Sequence, residues 1–278
     1  MEKNEMAGDL NRDFAPISEK AWEEITGDAT RTLKASLAAR KLVDFSGPHG
    51  WTKSAVPMGR VDLLPDIGGQ GVRALIRQVQ PLVELRASFT LKRDEIDAIG
   101  RGAEDANLEP LIEAAQHLAH TEDRLIFYGH ENAGIRGIYT HAKHRPLTLT
   151  NDYNAYPEVV AHALAILTEA AIEGPYAIAL GTRCFIGLNR TTGVGGYPVI
   201  KHVERLLDGP IVRAPSINGA LVLSMRGNDF KMVVGRDISI GYASHNATTV
   251  DLYLEESLTF RLLSPEAAVP LVYEESSP

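Results

Sequence analysis

The sequence predicts an α+β chain, and three observations carry that prediction. Between 250 and 262, Val250, Leu252, Leu254, Leu258, Phe260 and Leu262 share one parity, while Asp251, Glu255, Ser257, Thr259 and Arg261 share the other. That period of two belongs to a half-buried antiparallel strand. Earlier segments carry apolar residues at spacings of three and four, the mark of amphipathic helices. Helices and strands are grouped along the chain and do not alternate regularly, which favours α+β over a parallel α/β sheet.

In chain order, 1–13 is polar and has no regular pattern. Ser18 is placed to cap a helix, with Glu19, Glu23 and Glu24 in its first turns. Trp22, Ile25, Ala29, Leu33 and Leu37 form one stripe, and Arg40 and Lys41 fall in the expected last turn. The stripe faces either the protein's own core or a partner peptide.

Residues 45–71 are broken by Gly47-Pro48, Gly50, Pro57, Gly59, Pro65 and Gly68-Gly69, with short extended pieces between them. This reads as a mobile loop or a two-stranded arm. An isolated hairpin is marginal in water, so such an arm persists by docking on a neighbour. Residues 81–90 read as a strand, and Thr90 as the cap of a short helix ended by Gly100 and Gly102.

A longer helix follows, capped by Asn107, with Pro110 near its start and Gly129 closing it. It carries His117, His120, Glu122 and Asp123. With no second ExxH segment, these read as a solvated or ion-paired face and not as a metal site. Residues 155–173 are apolar around most of a helical circumference, so that helix is expected to be buried. A strand at 176–180, a helix from Thr182, a glycine loop at 191–197 and a helix through Leu207 come next. Strands at 210–214 and 220–225 lead to the final sheet, where strands before Thr90 and after Val250 are expected to pair. Tyr253 and Glu256 break the alternation of the long strand, so one end of it meets something other than plain core or plain solvent.

Composition narrows the function. The chain has 278 residues, 44% hydrophobic and 23% charged, which suits a folded protein and not a disordered one. A net charge of -8 argues against a nucleic-acid coat or a membrane-surface protein. Cys184 is the only cysteine, so no internal disulfide forms and a reducing cytoplasm is expected. The N-terminus has acids where a signal peptide has an apolar core. GxSxG, HExxH and CxxC are absent, and the loop TTGVGGY lacks the lysine of a phosphate cradle. Bond-making chemistry is therefore not expected, although a triad can assemble from distant residues.

Several segments together carry a resemblance. FAPISEKAWEEI, AARKLVDFSGPHGW, QPLVELRASFTL, EDRLIFYGHENAGIRGI, EGPYAIALG, GGYPVIKHVERLLDGPIVRAP, RGNDFKMVVGRDISIGYASH and LYLEESLTFRLL run in order from Phe14 onward. The chain resembles the encapsulins, linocin-type shell proteins of bacterial nanocompartments. The resemblance implies the fold of tailed-phage major capsid proteins. It divides the chain into an N-terminal arm and helix (1–44), an E-loop (45–75), a P-domain with a spine helix (76–150 and 215–278) and an A-domain (151–214). It implies an icosahedral homo-oligomer of about 60 copies or a multiple.

It also implies an enclosed cargo enzyme, a dye-decolourising peroxidase or a ferritin-like protein, held through a C-terminal targeting peptide. Carried over by position, the peptide groove would use Leu33, Leu37, Arg40, Asp44, Asp237, Ile238 and Ile240. The pore loop would be Arg190, Thr191, Thr192, Gly193, Val194, Gly195, Gly196 and Tyr197. Some members bind flavin through an aromatic after the FTL motif. Lys92-Arg93-Asp94 has none, so no cofactor and no metal are expected. A phage major capsid protein and a soluble hydrolase are the alternatives, and neither nucleic acid nor membrane is an expected partner.

Overall fold

A computed structural model describes residues 8–65, 67, 71–193 and 195–273. The expected glycine pair Gly68-Gly69 and the pore-loop residue Val194 lie outside the described residues. The chain begins with α1 (Glu19–Ser36), β1 (Asp44–Ser46), β2 (Ala55–Leu64), β3 (Ala74–Pro81), β4 (Val83–Lys92), α2 (Arg93–Arg101) and α3 (Glu109–Tyr128). Then come β5 (Gly129–His130), β6 (Ile135–Arg136), α4 (Ile138–His141), β7 (Leu147–Leu149), α5 (Tyr156–Glu169) and β8 (Tyr176–Leu180). The chain continues through α6 (Thr182–Arg190), α7 (Val199–Leu207), β9 (Ile211–Arg213) and β10 (Ala220–Ser224). It ends with β11 (Phe230–Val234), β12 (Ser239–His245), β13 (Thr249–Leu262) and β14 (Ala268–Tyr273).

The long strand β13 organises one sheet. β4 runs antiparallel along one of its edges, from Thr249↔Lys92 to Leu258↔Val83. The other edge is shared end to end. β12 pairs with 250–255 and β11 with 258–262. β1 adds to β11 in parallel. β13 is also buried on both faces, including Glu255, Glu256, Ser257 and Thr259. The expected half-exposed strand is corrected accordingly: the polar parity of 255–259 is a buried face and not a solvent face, with Glu255 and Ser257 partnered.

The second sheet has the order β7-β14-β10-β8-β9. Its strands come from 147–149, 176–180, 211–213, 220–224 and 268–273, so the segment 151–214 does not form a sheet by itself. Apolar runs at Ala177–Leu180 and Ala220–Leu223 are wholly buried, which suits central strands covered on both sides.

The spine helix α3 ties two cores together. Its N-terminal half, Leu111 to Leu118, packs with Ile25, Ala29, Phe89, Leu91, Leu252 and Leu254. Its C-terminal half, Leu125 to Phe127, packs with the second sheet and with Leu258 and Phe260.

Three helix expectations are corrected. Ser18 does cap α1, accepting the Ala21 N–H at 3.3 Å, but α1 stops at Ser36. Arg40 and Lys41 lie instead in a separate 3₁₀ turn, Ala39–Lys41. Thr90 does not cap α2; it lies within β4, and its hydroxyl donates across the sheet to Asp251 at 2.7 Å. Helix α5 is buried on one face only, through Tyr156, Val160, Ala163 and Leu167, because the second sheet covers only one side of it.

The arm is a two-stranded ribbon, β2 against β3, with a register shift between Pro57 and Val61. Gly59, at φ +72°, supplies the left-handed conformation that the shift needs. Val61, Leu63, Leu75, Ile76 and Val79 are each about half exposed. A ribbon with so much apolar surface in water lacks a partner within its own subunit.

Candidate functional site

The residues that the groove expectation brings forward fall into three settings. Leu33 and Ile238 are half-buried and Ile240 is buried, and they share one apolar cluster with Ile25, Ala29, Leu252 and Leu254. Leu37 is buried at the C-cap of α1, where its N–H donates to Leu33 at 2.9 Å. Arg40 and Asp237 are in direct contact, Nη1 to Oδ1 at 2.6 Å. Asp44 stands apart from these. Its carboxylate accepts the Asn228 N–H at 2.6 Å, on the turn before β11.

Arg40 is the centre of the arrangement. The break after Ser36 turns the chain inward, so this guanidinium reaches carboxylates from three elements. Its Nε contacts both oxygens of Glu122 on α3, at 3.0 and 2.9 Å, and Nη2 reaches Glu122 again at 2.7 Å. Nη2 also contacts Glu256 of β13 at 2.8 Å. The side chains of Glu122 and Glu256 are 0% exposed, whereas Asp237 is 45% exposed. Arg40 thus serves two buried acids and one open one. The ring of Phe45 lies 5.3 Å from the guanidinium.

Glu256 sits where β13 changes partner, between the β12 and β11 pairings. The connecting segment closes the gap: Gly235 N–H donates to Ser257 O at 2.8 Å, and Ser257 N–H to Arg236 O at 3.0 Å.

The electrostatics follow from burial. Burial works against the charge of Arg40, but Glu122, Glu256 and Asp237 outweigh it and hold the guanidinium firmly protonated. Burial raises the Glu256 carboxyl well above the usual range, and neighbouring Glu122 adds to the rise. Asp123, next to Glu122, is pushed up to about 7, mainly by burial and against the pull of the Ala39 and Ala38 N–H groups. Those two N–H groups donate to it at 2.8 and 3.1 Å, fixing the turn that delivers Arg40.

Glu122, Asp123 and Glu256 were not among the expected groove residues. Glu122 and Asp123 read as an ion-paired helix face, and Glu256 as a break in the strand alternation. That break was the sequence's signal for this cluster.

The pore-loop segment is a closed turn. Gly193 N–H donates to Tyr197 O at 2.8 Å, Gly196 N–H to Gly193 O at 3.0 Å, and Val199 N–H to Thr191 O at 3.0 Å. Arg190 ends α6, and the Thr191 hydroxyl donates back to Gly187 O at 2.7 Å. Thr192 bridges to Pro198. Gly195 and Gly196 have φ of +85° and +78°, and open space surrounds the position of a side chain at each. Tyr197 is 43% exposed, its ring edge-on to His202.

With this architecture in place, comparisons with known proteins become specific. A family model described as an encapsulating protein for peroxidase matches residues 7–259. The chain belongs to the encapsulin family. It is 51% identical to the type 1 encapsulin shell protein of Rhodospirillum rubrum over 268 residues, covering 95% of this chain and 96% of that one. It is 45% identical to the type 1 encapsulin shell protein of Mycobacterium tuberculosis, covering 94% and 98%. These relatives bear the names of shell proteins, not of enzymes.

The fold is that of the tailed-phage capsid proteins. It resembles the virus-like particle of Pyrococcus furiosus with a TM-score of 0.66 at 15% identity, covering 89% of this encapsulin and 97% of that chain. It resembles the chain from Gordonia phage Cozz with a TM-score of 0.53 at 14% identity, covering 85% and 86%. No helix among the described residues is long and apolar enough to cross a membrane.

Proposed function

We propose that this encapsulin is the self-assembling shell subunit of an icosahedral nanocompartment that encloses a cargo enzyme. The carrying observation is the arm. It is a ribbon with apolar residues exposed along both strands, on a capsid fold, in a chain whose family match runs nearly end to end. A second copy of the subunit supplies the missing cover, by heterologous contacts that close on themselves. Negative-stain microscopy of the purified protein tests this: hollow, uniform particles are the expected result, and a monodisperse monomer rejects it.

The cargo is a peroxidase, in line with the description of the family model, and a C-terminal peptide of that cargo docks at the Leu33–Ile238–Ile240 cluster. Leu33 and Ile238 are only half-buried, which leaves apolar surface for an anchoring side chain. Asp237, partly exposed, fixes the peptide's direction. Leu33→Asp combined with Ile238→Asp leaves intact but empty shells. Full cargo occupancy in that variant, read as haem absorbance per shell, rejects the groove. The turn at 190–197 lines a small pore for the cargo's substrates. The Gly195 and Gly196 positions, with no side chains and open space around them, support that role.

The phage-capsid reading is less favoured, because relatives covering almost the full chain at 45–51% identity are named as encapsulin shells. DNA in purified particles would favour it.

A further inference from the structure

Residues 8–14 were left without a role by the sequence, yet they are held at several points. Leu10 is buried, and its carbonyl accepts the Tyr242 N–H of β12 at 2.9 Å. Asp9 forms an ion pair with Arg236. Arg12 lies over the ring of Trp22 on α1, 4.1 Å from its centre. The turn therefore bridges β12 and α1, the two elements that carry Ile240 and Leu33.

Arg236 is the unusual partner. It is 2% exposed, and it is the largest fully buried side chain among the described residues. Its other carboxylate contact is Glu255 at 3.4 Å, and Glu255 also pairs with Arg86. Neither its Nε nor its Nη2 has a hydrogen-bond partner among the described residues, so the contact with Asp9 is an ion pair alone. The guanidinium stands 5.1 Å from the ring of Trp51, at the root of the arm, where Trp51 is 55% exposed. The next residue, Asp237, pairs with Arg40. The connection between β11 and β12 is thus clamped by consecutive ion pairs, one to Asp9 and one to Arg40.

We propose that the Asp9–Leu10 turn is a latch that positions the groove wall and the arm root together. Asp9 anchors Arg236, and Arg236 stands between the wall at Asp237 and Ile238 and the indole of Trp51. Without Asp9 a buried guanidinium keeps only the shared Glu255. The connection must then open to let water reach it, because an unpaired buried charge is strongly unfavourable. Opening displaces Asp237 and Ile238 on one side and frees Trp51 on the other. Asp9 is a positioning residue that need not touch the cargo. The inference rests on the groove reading for its consequence on cargo, but its geometry is tested without cargo.

The test uses full-length shells in a Trp22→Phe background, which leaves Trp51 as the only indole. Asp9→Asn is compared with Asp9→Glu and with the unaltered turn. The expected result for Asp9→Asn is a changed Trp51 emission, with amide exchange at 235–238 roughly tenfold faster or more. Asp9→Glu restores both. Loading of a co-expressed peroxidase bearing its targeting peptide falls in Asp9→Asn and recovers in Asp9→Glu. Emission and exchange that are unchanged in Asp9→Asn overturn the latch. If they change as expected while loading holds, and Leu33→Asp with Ile238→Asp also loads normally, the groove reading fails and the coupling to cargo falls with it. If they change while only the groove variant empties the shell, the latch does not position the groove wall and is overturned.

Discussion

Replacing Arg40 by Met removes one cation from two buried carboxyl groups, and the structure sets the size of the effect. Glu122 and Glu256 are fully buried and reach Arg40 at 3.0 Å or less. Breaking such a pair by deleting one partner costs about 3–5 kcal/mol, because the remaining charge stays in low dielectric. At roughly 2–4 °C per kcal/mol for chains near this size, the melting temperature falls by about 6–20 °C at pH 7.5. Calorimetry of the purified protein at fixed concentration reads this, since assembly makes the value concentration-dependent. The sign with pH is also fixed. Without Arg40, burial and the neighbouring Glu122 hold the Glu256 proton to still higher pH in the folded state than in the unfolded one. The folded state then binds more protons, so its stability is greatest at low pH and is lost as pH rises. Arg40→Met therefore approaches the parent as pH is lowered toward 5. Adding Glu122→Gln to Arg40→Met recovers most of the loss at pH 7.5. A drop under about 2 °C, or one that does not change with pH, refutes the view that this guanidinium neutralises buried charge.

Two further outcomes follow. Asp123, raised to about 7 in the folded state, contributes stability that is complete below the unfolded carboxyl value and is lost as pH rises toward neutrality. The difference is about 4 kcal/mol at roughly 1.4 kcal/mol per unit, and Asp123→Asn flattens the stability profile between pH 4 and 7; a parallel profile for the variant would remove Asp123 as the titrating group. Gly195→Trp leaves particles intact, because nothing lies within 4 Å of the new side chain's root, and it slows entry of small substrates to enclosed cargo; unchanged cargo turnover would exclude this turn as the route.

Much of the fold was legible because it follows from pattern. The period of two between 250 and 262 and the helical stripe of α1 are local signals, and each appears as an element; the two extended pieces expected within 45–71 instead form one bulged strand, β2, whose partner β3 begins only at Ala74. What escaped the sequence was set by tertiary partners. The parity of β13 that alternation alone assigns to solvent is covered by distant groups: Arg236 and Arg86 meet Glu255, and the Arg236 N–H donates to the Ser257 hydroxyl at 2.9 Å. The end of α1 at Ser36 depends on Asp123, 85 residues from Ala38, which binds the first N–H groups after the helix. Of the residues named for a groove, Arg40 and Asp237 are in contact, and Leu33, Ile238 and Ile240 share one cluster. Asp44 binds the 227–228 turn instead. Glu122 and Glu256 could not be assigned to Arg40 from spacing, since 82 and 216 positions separate them from it.

The position of the buried charges has a structural reason. An edge that hands over from β12 to β11 leaves a place on β13 where no ladder pair continues, and Glu256 occupies it. An apolar residue there would pack equally well with several placements of the 235–238 connection. A carboxyl that must meet Arg40 accepts only one, just as a buried polar residue can fix register at some cost in stability. Arg40 in turn is presented by a turn that Asp123 holds, and it orients Asp237 at the surface. The same few charges therefore fix three things at once: the partner change along the longest strand, the end of α1, and the position of the partly exposed Asp237. On this reasoning the placement of Asp237 beside the apolar cluster is specified by the sheet's own irregularity, and the energetic cost of burying the acids is the condition for a single geometry there.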